Sequence, residues 1–208
     1  MRVRPNPDRF ACRRRIAFSL IELLITMALI VIMFVMMYGF SSRSHQQQQK
    51  VVCQKNLATI HVALEIFANE HDGAFPMQTN AMTSETALAQ LVPKYTAATE
   101  PFICPGSKDK AIPEGEPFEK RRISYAYYMG QRTESSAELL MTDQQINDLP
   151  KIKGQPVFST NGKRPGNNHH RYGGNLLYCD GHAEKISAIA PFSLIATQGV
   201  VLLNPRQP

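Results

Sequence analysis

The densest run of side chains able to do chemistry is Asn167-Asn168-His169-His170-Arg171-Tyr172-Gly173-Gly174-Asn175, followed closely by Asp180-Gly181-His182. Imidazole nitrogens and carboxylate oxygens suit zinc or a similar divalent ion. His169, His170, Asp180 and His182 form the candidate ligand set, with Asp143 as a further donor. Calcium fits less well, because it takes several oxygens and few carboxylates cluster here. Hydrolytic catalysis would need an activated nucleophile or a metal-bound water, and no neighbouring residue is placed as a general base. The same residues also have a structural reading. His170 and Asn175 would satisfy backbone groups across a tight loop, and Asp180-Gly181 would make a turn. Recognition through exposed His, Arg171 and Tyr172 is the remaining alternative. The sequence leaves these readings open; no cofactor is expected beyond a divalent ion at this cluster, and no catalytic residue is assigned.

Cysteines supply the second chemistry. Cys12 precedes the apolar segment described below, leaving Cys53, Cys104 and Cys179 beyond it. Cys53 and Cys104 are the preferred disulfide pair. Cys179 is a rival partner, and three buried free thiols are the alternative.

A third reactive residue is an acid in an apolar stretch. Phe18 to Phe40 runs 23 residues with one charge, Glu22. At ~1.5 Å per residue a helix of this length reaches across a bilayer core of ~30 Å. A buried soluble helix is disfavoured because the run has no polar face. A secretory signal peptide would have a shorter apolar region and a small-residue cut after it. Six Arg precede the run, while only Arg43, Lys50 and Lys55 follow closely. That asymmetry keeps the N-terminus in the cytoplasm and sends the rest across. An intramembrane carboxylate costs up to roughly 3 kcal/mol, less when one turn from the helix end. It is either a snorkelling acid or one awaiting a cation at the same depth.

The elements that position these residues can be read outward from the membrane. Residues 41–72 contain no Pro or Gly, and Cys53, Leu57, Ile60, Leu64 and Phe67 recur every three or four residues. This predicts an amphipathic continuation of the apolar helix, stopped by Asp72-Gly73. Residues 73–208 read as a globular head. A short helix capped at Thr83 or Ser84 reaches Leu91, a Pro-rich loop follows, and strands are expected at Ile123–Met129, Glu138–Thr142, Asn175–Cys179 and Ala183–Ile186. Asp180-Gly181 marks a hairpin between the last two. Lys151–Gly174 reads as a long loop, and Ala188–Leu203 as a last strand or docked segment. The expected fold is α+β: a long helix packed on a small antiparallel sheet.

The segment RRRIA|FSLIELLITMALIVI resembles the class III signal of type IV pilins and pseudopilins. That resemblance implies a basic leader at 1–17 and a cut between Ala17 and Phe18. It also implies methylation of the Phe18 amine by prepilin peptidase, and a fifth-position acid, Glu22, that pairs with the new amine of a neighbouring subunit during assembly. The family's usual residue before the cut is Gly; here it is Ala17. The spacing from His170 to Asp180-Gly181 resembles an H-x9-DG motif found in one group of prepilin-like proteins. Implied partners are prepilin peptidase, other pilin or pseudopilin subunits and an inner-membrane assembly platform. The implied location is the bacterial inner membrane, single-pass, with the head periplasmic. The implied function is a structural subunit of a type IV pilus or a type II secretion pseudopilus, not an enzyme. The competing function is a membrane-anchored extracytoplasmic metal-binding protein or enzyme using the cluster near 169–182.

The charge balance agrees with a topology signal. The net charge is +6, but residues 1–17 hold six Arg and one Asp, which leaves 17 bases against 16 acids in the rest. A nucleic-acid partner is not indicated, because no basic domain exists once the leader is set aside.

Overall fold

The computed structural model describes residues 19–113 and 115–207, and side chains at 38–43 are not described. The chain divides into two compact units, residues 1–42 and 43–208. Helix α1 spans Leu20–Glu70.

In the first unit, the helical stretch Leu20–Met37 is long and apolar enough to cross a membrane, and none of it is buried against protein. Leu20, Met33, Val35 and Met37 are each more than two-thirds exposed. Water gives such a surface no favourable solvent, whereas lipid does.

In the second unit, the stripe Cys53, Leu57, Ile60, Leu64 and Phe67 is buried in one core cluster. Burial of each large apolar side chain contributes about 1.5–3 kcal/mol. The helix stops where its chemistry says it should. Asp72 takes a left-handed backbone (φ 52°), and the Gly73 N–H donates to the Ala68 carbonyl at 2.9 Å, closing the last turn.

The head carries a short helix α2 (Ser84–Leu88) and five strands: β1 (Tyr125–Met129), β2 (Leu139–Asp143), β3 (Gly174–Tyr178), β4 (Ala183–Ile186) and β5 (Val201–Leu203). They form one sheet in the order β4-β3-β2-β1-β5, with every pair antiparallel. The fold is α+β, the class the sequence leads one to expect. The register sets Leu203, Tyr127, Met141 and Leu177 side by side across four strands. These four belong to the same core cluster as the helix stripe, so this face of the sheet meets α1. The opposite face, with Tyr128 and Leu176, is covered by Val157, Phe158, Ala188, Ala190 and Leu194. The long loop of the sequence reading therefore contributes Val157 and Phe158 to a second core, and is tied by isolated bridges between Lys151 and Leu194 and between Pro156 and Ile189.

Candidate functional site

Glu22 lies in the first turn of α1, where the helix dipole favours an acid. Its carboxylate has no hydrogen bond or ion pair among the described residues. Ala17 and Phe18 lie outside the described residues.

The head contains a second acid in the opposite circumstance. Asp143 ends β2 and is wholly buried. Its Oδ1 accepts from Asn168 Nδ2 at 3.0 Å. Its Oδ2 accepts from the Asn175 backbone N–H at 2.7 Å and from Asn175 Nδ2 at 3.0 Å. His169 Nε2 stands 3.3 Å from the same oxygen. Burial opposes ionisation, but the His169 neighbour and the donated bonds hold the carboxyl below the usual carboxylate value. The donors reach further: Asn168 Nδ2 also donates to the Ser124 carbonyl at 2.7 Å, and Asn175 Nδ2 to the Lys50 carbonyl at 3.2 Å. One carboxylate and its two asparagine donors thus tie β2, β3, the 167–170 turn, the residue before β1 and α1 together.

Lys50 completes this hub from the helix. It is 7% exposed and donates to the Tyr172 and Ile186 carbonyls, both at 3.0 Å. Burial pushes its ammonium pKa down, and the charge of Asp143 works against that fall. Tyr125 in β1 is pushed well up by burial and by Asp143, so its hydroxyl stays protonated.

The disulfide Cys53–Cys104 forms the floor of the hub, with a Cα–Cα separation of 5.4 Å. It pins α1 to the turn after Phe102. Cys104 Sγ lies 3.5 Å from His169 Nε2 and accepts from the Gly106 N–H at 3.4 Å. Position 106 must lack a side chain, because a Cβ there would collide with the Asn168 carbonyl oxygen and stand 2.9 Å from His169 Nδ1. Cys179 is a buried free thiol, pushed up to about 12 by burial and by the acids Glu138, Asp180 and Glu65.

The structure does not bring together the proposed ligand set His169, His170, Asp180 and His182. His169 points inward, whereas His170, Asp180 and His182 are exposed. Two local features separate them. His170 has a left-handed backbone (φ 56°), which turns its ring out over Gly162 and away from its neighbour. Strand β3 then carries the chain away at ~3.3 Å per residue before Asp180 is reached. Nine intervening residues therefore span the sheet instead of closing a site.

Asp180-Gly181 instead forms the β3–β4 turn. Asp180 Oδ1 accepts from the His182 N–H at 2.8 Å. Gly181 has φ 84°, and a Cβ there would stand 2.9 Å from the His61 ring. His61 Nε2 lies 3.0 Å from the Cys179 carbonyl, so the turn docks on α1. The His182 ring stacks near Tyr178, with centroids 5.8 Å apart.

Sequence reasoning missed Lys50 and the importance of Asn168. A signal existed for Lys50: it stands three residues before Cys53, on the same face as the buried stripe. It also missed Glu85, a buried acid in α2 whose Oε1 accepts the Ile123 and Arg206 N–H groups at 3.1 and 3.0 Å.

Residues 12–38 match the prokaryotic N-terminal methylation motif. No curated protein and no solved structure gives a significant match to the chain.

Proposed function

We propose that this pilin-like chain, bearer of a prokaryotic N-terminal methylation motif and so of a prepilin peptidase recognition segment, is a structural subunit of an envelope filament. Prepilin peptidase cuts between Ala17 and Phe18 and methylates the Phe18 amine. The apolar half of α1 then anchors the subunit in the inner membrane, with the head on the periplasmic side. From there the subunit joins its neighbours in a type IV pilus or a secretion pseudopilus through the assembly platform.

The observation that carries this reading is Glu22: an acid without a partner among the described residues, in a helical stretch whose apolar side chains are all exposed. A simple anchor gains nothing from a charge there, whereas an assembling subunit does, because a neighbour's new amine neutralises it at the same depth. The rival, a tethered metal enzyme built on the 169–182 cluster, loses its ligand set to the outward turn of His170 and to strand β3.

Intact mass of the protein from its native membrane tests the processing step. Loss of residues 1–17 with gain of one methyl group is expected; a retained leader overturns the reading. Glu22→Ala tests the assembly step in the native host. The variant should be processed and inserted yet fail to enter filaments, and normal incorporation would remove the role given to Glu22.

A further inference from the structure

Among the described residues, Cys53, Cys104, Asp143 and His169 form a buried group of metal-ligating side chains, with the four ligand atoms all within 4.8 Å of one another. We propose that the Cys53–Cys104 pair is two-state: joined, it is a structural clamp; reduced, it completes a site for one thiophilic divalent ion of the zinc class with Asp143 and His169.

The geometry supports this. His169 Nε2 lies 3.5 Å from Cys104 Sγ and 3.3 Å from Asp143 Oδ2. A tetrahedron drawn with zinc-like bond lengths has nitrogen–sulfur and nitrogen–oxygen edges of ~3.6 and ~3.3 Å. Two edges are therefore in place before any ion arrives. The sulfur–sulfur edge must open to ~3.8 Å, which breaking the disulfide permits.

The surroundings suit a metal as well. Asp143 Oδ2 is already held by Asn175, the kind of outer contact that orients a ligating carboxylate. Two thiolates and one carboxylate would carry three negative charges. The ion supplies two positive charges and the Lys50 ammonium a third. His169 would bind through Nε2 and carry its proton on Nδ1. Among the described residues that nitrogen has no hydrogen-bond partner, and neither does Gln49 Oε1. Both flank Gly106, within 2.9 and 3.2 Å of the place its Cβ would occupy, so the glutamine is the nearby unpaired acceptor toward which that proton could be turned.

The chemistry balances. A dithiol reductant gives two electrons and two protons to the disulfide and becomes a cyclic disulfide itself. The ion then displaces both thiol protons into solvent as two metal–sulfur bonds form. Oxidation by a disulfide reverses the sequence and expels the ion.

The test uses the full chain in detergent with cobalt(II) as probe. After anaerobic reduction by a phosphine, wild type should bind one cobalt per chain with a sulfur-to-cobalt charge-transfer band and tetrahedral ligand-field bands. Zinc should displace it, and cobalt should raise the Tm of the reduced protein. The oxidised protein should show no charge-transfer band. Asp143→Asn and His169→Gln should weaken binding more than about tenfold, and Cys179→Ser should leave the spectrum unchanged. Three results would overturn the site: no charge-transfer band in reduced wild type, the same band in Cys53→Ser, or a reduced chain that unfolds and is not restored by cobalt. If either ligand variant fails to fold when reduced, Cys53→Ser and the zinc displacement decide.

Discussion

Two carboxylates, Glu22 and Asp143, sit where charge is expensive, and their surroundings differ in one respect. Around Asp143 the chain provides everything an anion needs: three donated hydrogen bonds, an imidazole and a nearby ammonium, drawn from α1, the 167–170 turn and β3. Around Glu22 the described residues provide none of this, and its neighbours are exposed Leu and Ile side chains. A charge compensated from within fixes the fold of its own subunit. A charge left uncompensated is the one for which we propose a partner from a neighbouring subunit. The same contrast runs along α1. Its second half buries a stripe in the head, while Leu20–Met37 buries none of its surface against protein.

The contrast is broken most directly by removing each acid. Asp143→Ala leaves buried donors and Lys50 without their anion and should destabilise the head by about 3–5 kcal/mol. Chemical denaturation of the full chain in detergent reads this. Glu22→Ala should leave the same unfolding curve in place and act only on assembly. If the two variants destabilise the head alike, the division between an internal and an external charge is wrong. A matched apolar pair comes next. Leu64→Ala, wholly buried in the core, should cost about 2–5 kcal/mol. Leu29→Ala, 57% exposed, should move head unfolding by less than about 0.5 kcal/mol.

The features legible in the sequence are those written in local periodicity. The five-residue stripe, the Asp72-Gly73 stop, four strands and the Asp180-Gly181 turn each depend on residues adjacent in the chain, and α1, β1 to β4 and the turn lie where that pattern places them. What stayed hidden depends on contacts across long separations. Lys50 meets Tyr172 and Ile186 more than 120 residues away, and Glu85 meets Arg206. Such polar residues look solvated until the fold encloses them. The second core was hidden for another reason. Val157, Phe158, Ala188 and Ala190 lie in irregular backbone, which leaves no period to read. At the cluster itself, composition drew attention to His170 and Asp180. It could not reveal that a left-handed residue turns His170 outward and leaves His169 as the inward partner of Asp143.

A smaller effect sharpens the role of the turn. Gly181→Ala imposes a side chain at φ 84° and drives it against the His61 ring. The expected cost is about 1–3 kcal/mol. His61→Ala should relieve the packing part and not the backbone part, so the double variant should recover some of the loss and retain the rest. Full recovery would make contact, not conformation, the reason for the glycine.

The smallest expected effect is silence at Cys179. Its thiol is buried and its pKa pushed up to about 12, so almost no thiolate exists at neutral pH. A disulfide-exchange reagent should therefore leave it untouched in the native protein. Denaturing the oxidised chain should expose it, and the count then reports on both halves of the molecule. With Cys53 and Cys104 joined, a processed chain shows one thiol, because Cys12 has left with the leader. An unprocessed chain shows two. Three would mean a processed chain whose clamp is open, and four an unprocessed one. Rapid native labelling of Cys179 would instead mean that the sheet edge near the β3–β4 turn opens readily from α1, and would weaken the case for a head held rigid by its own internal charges.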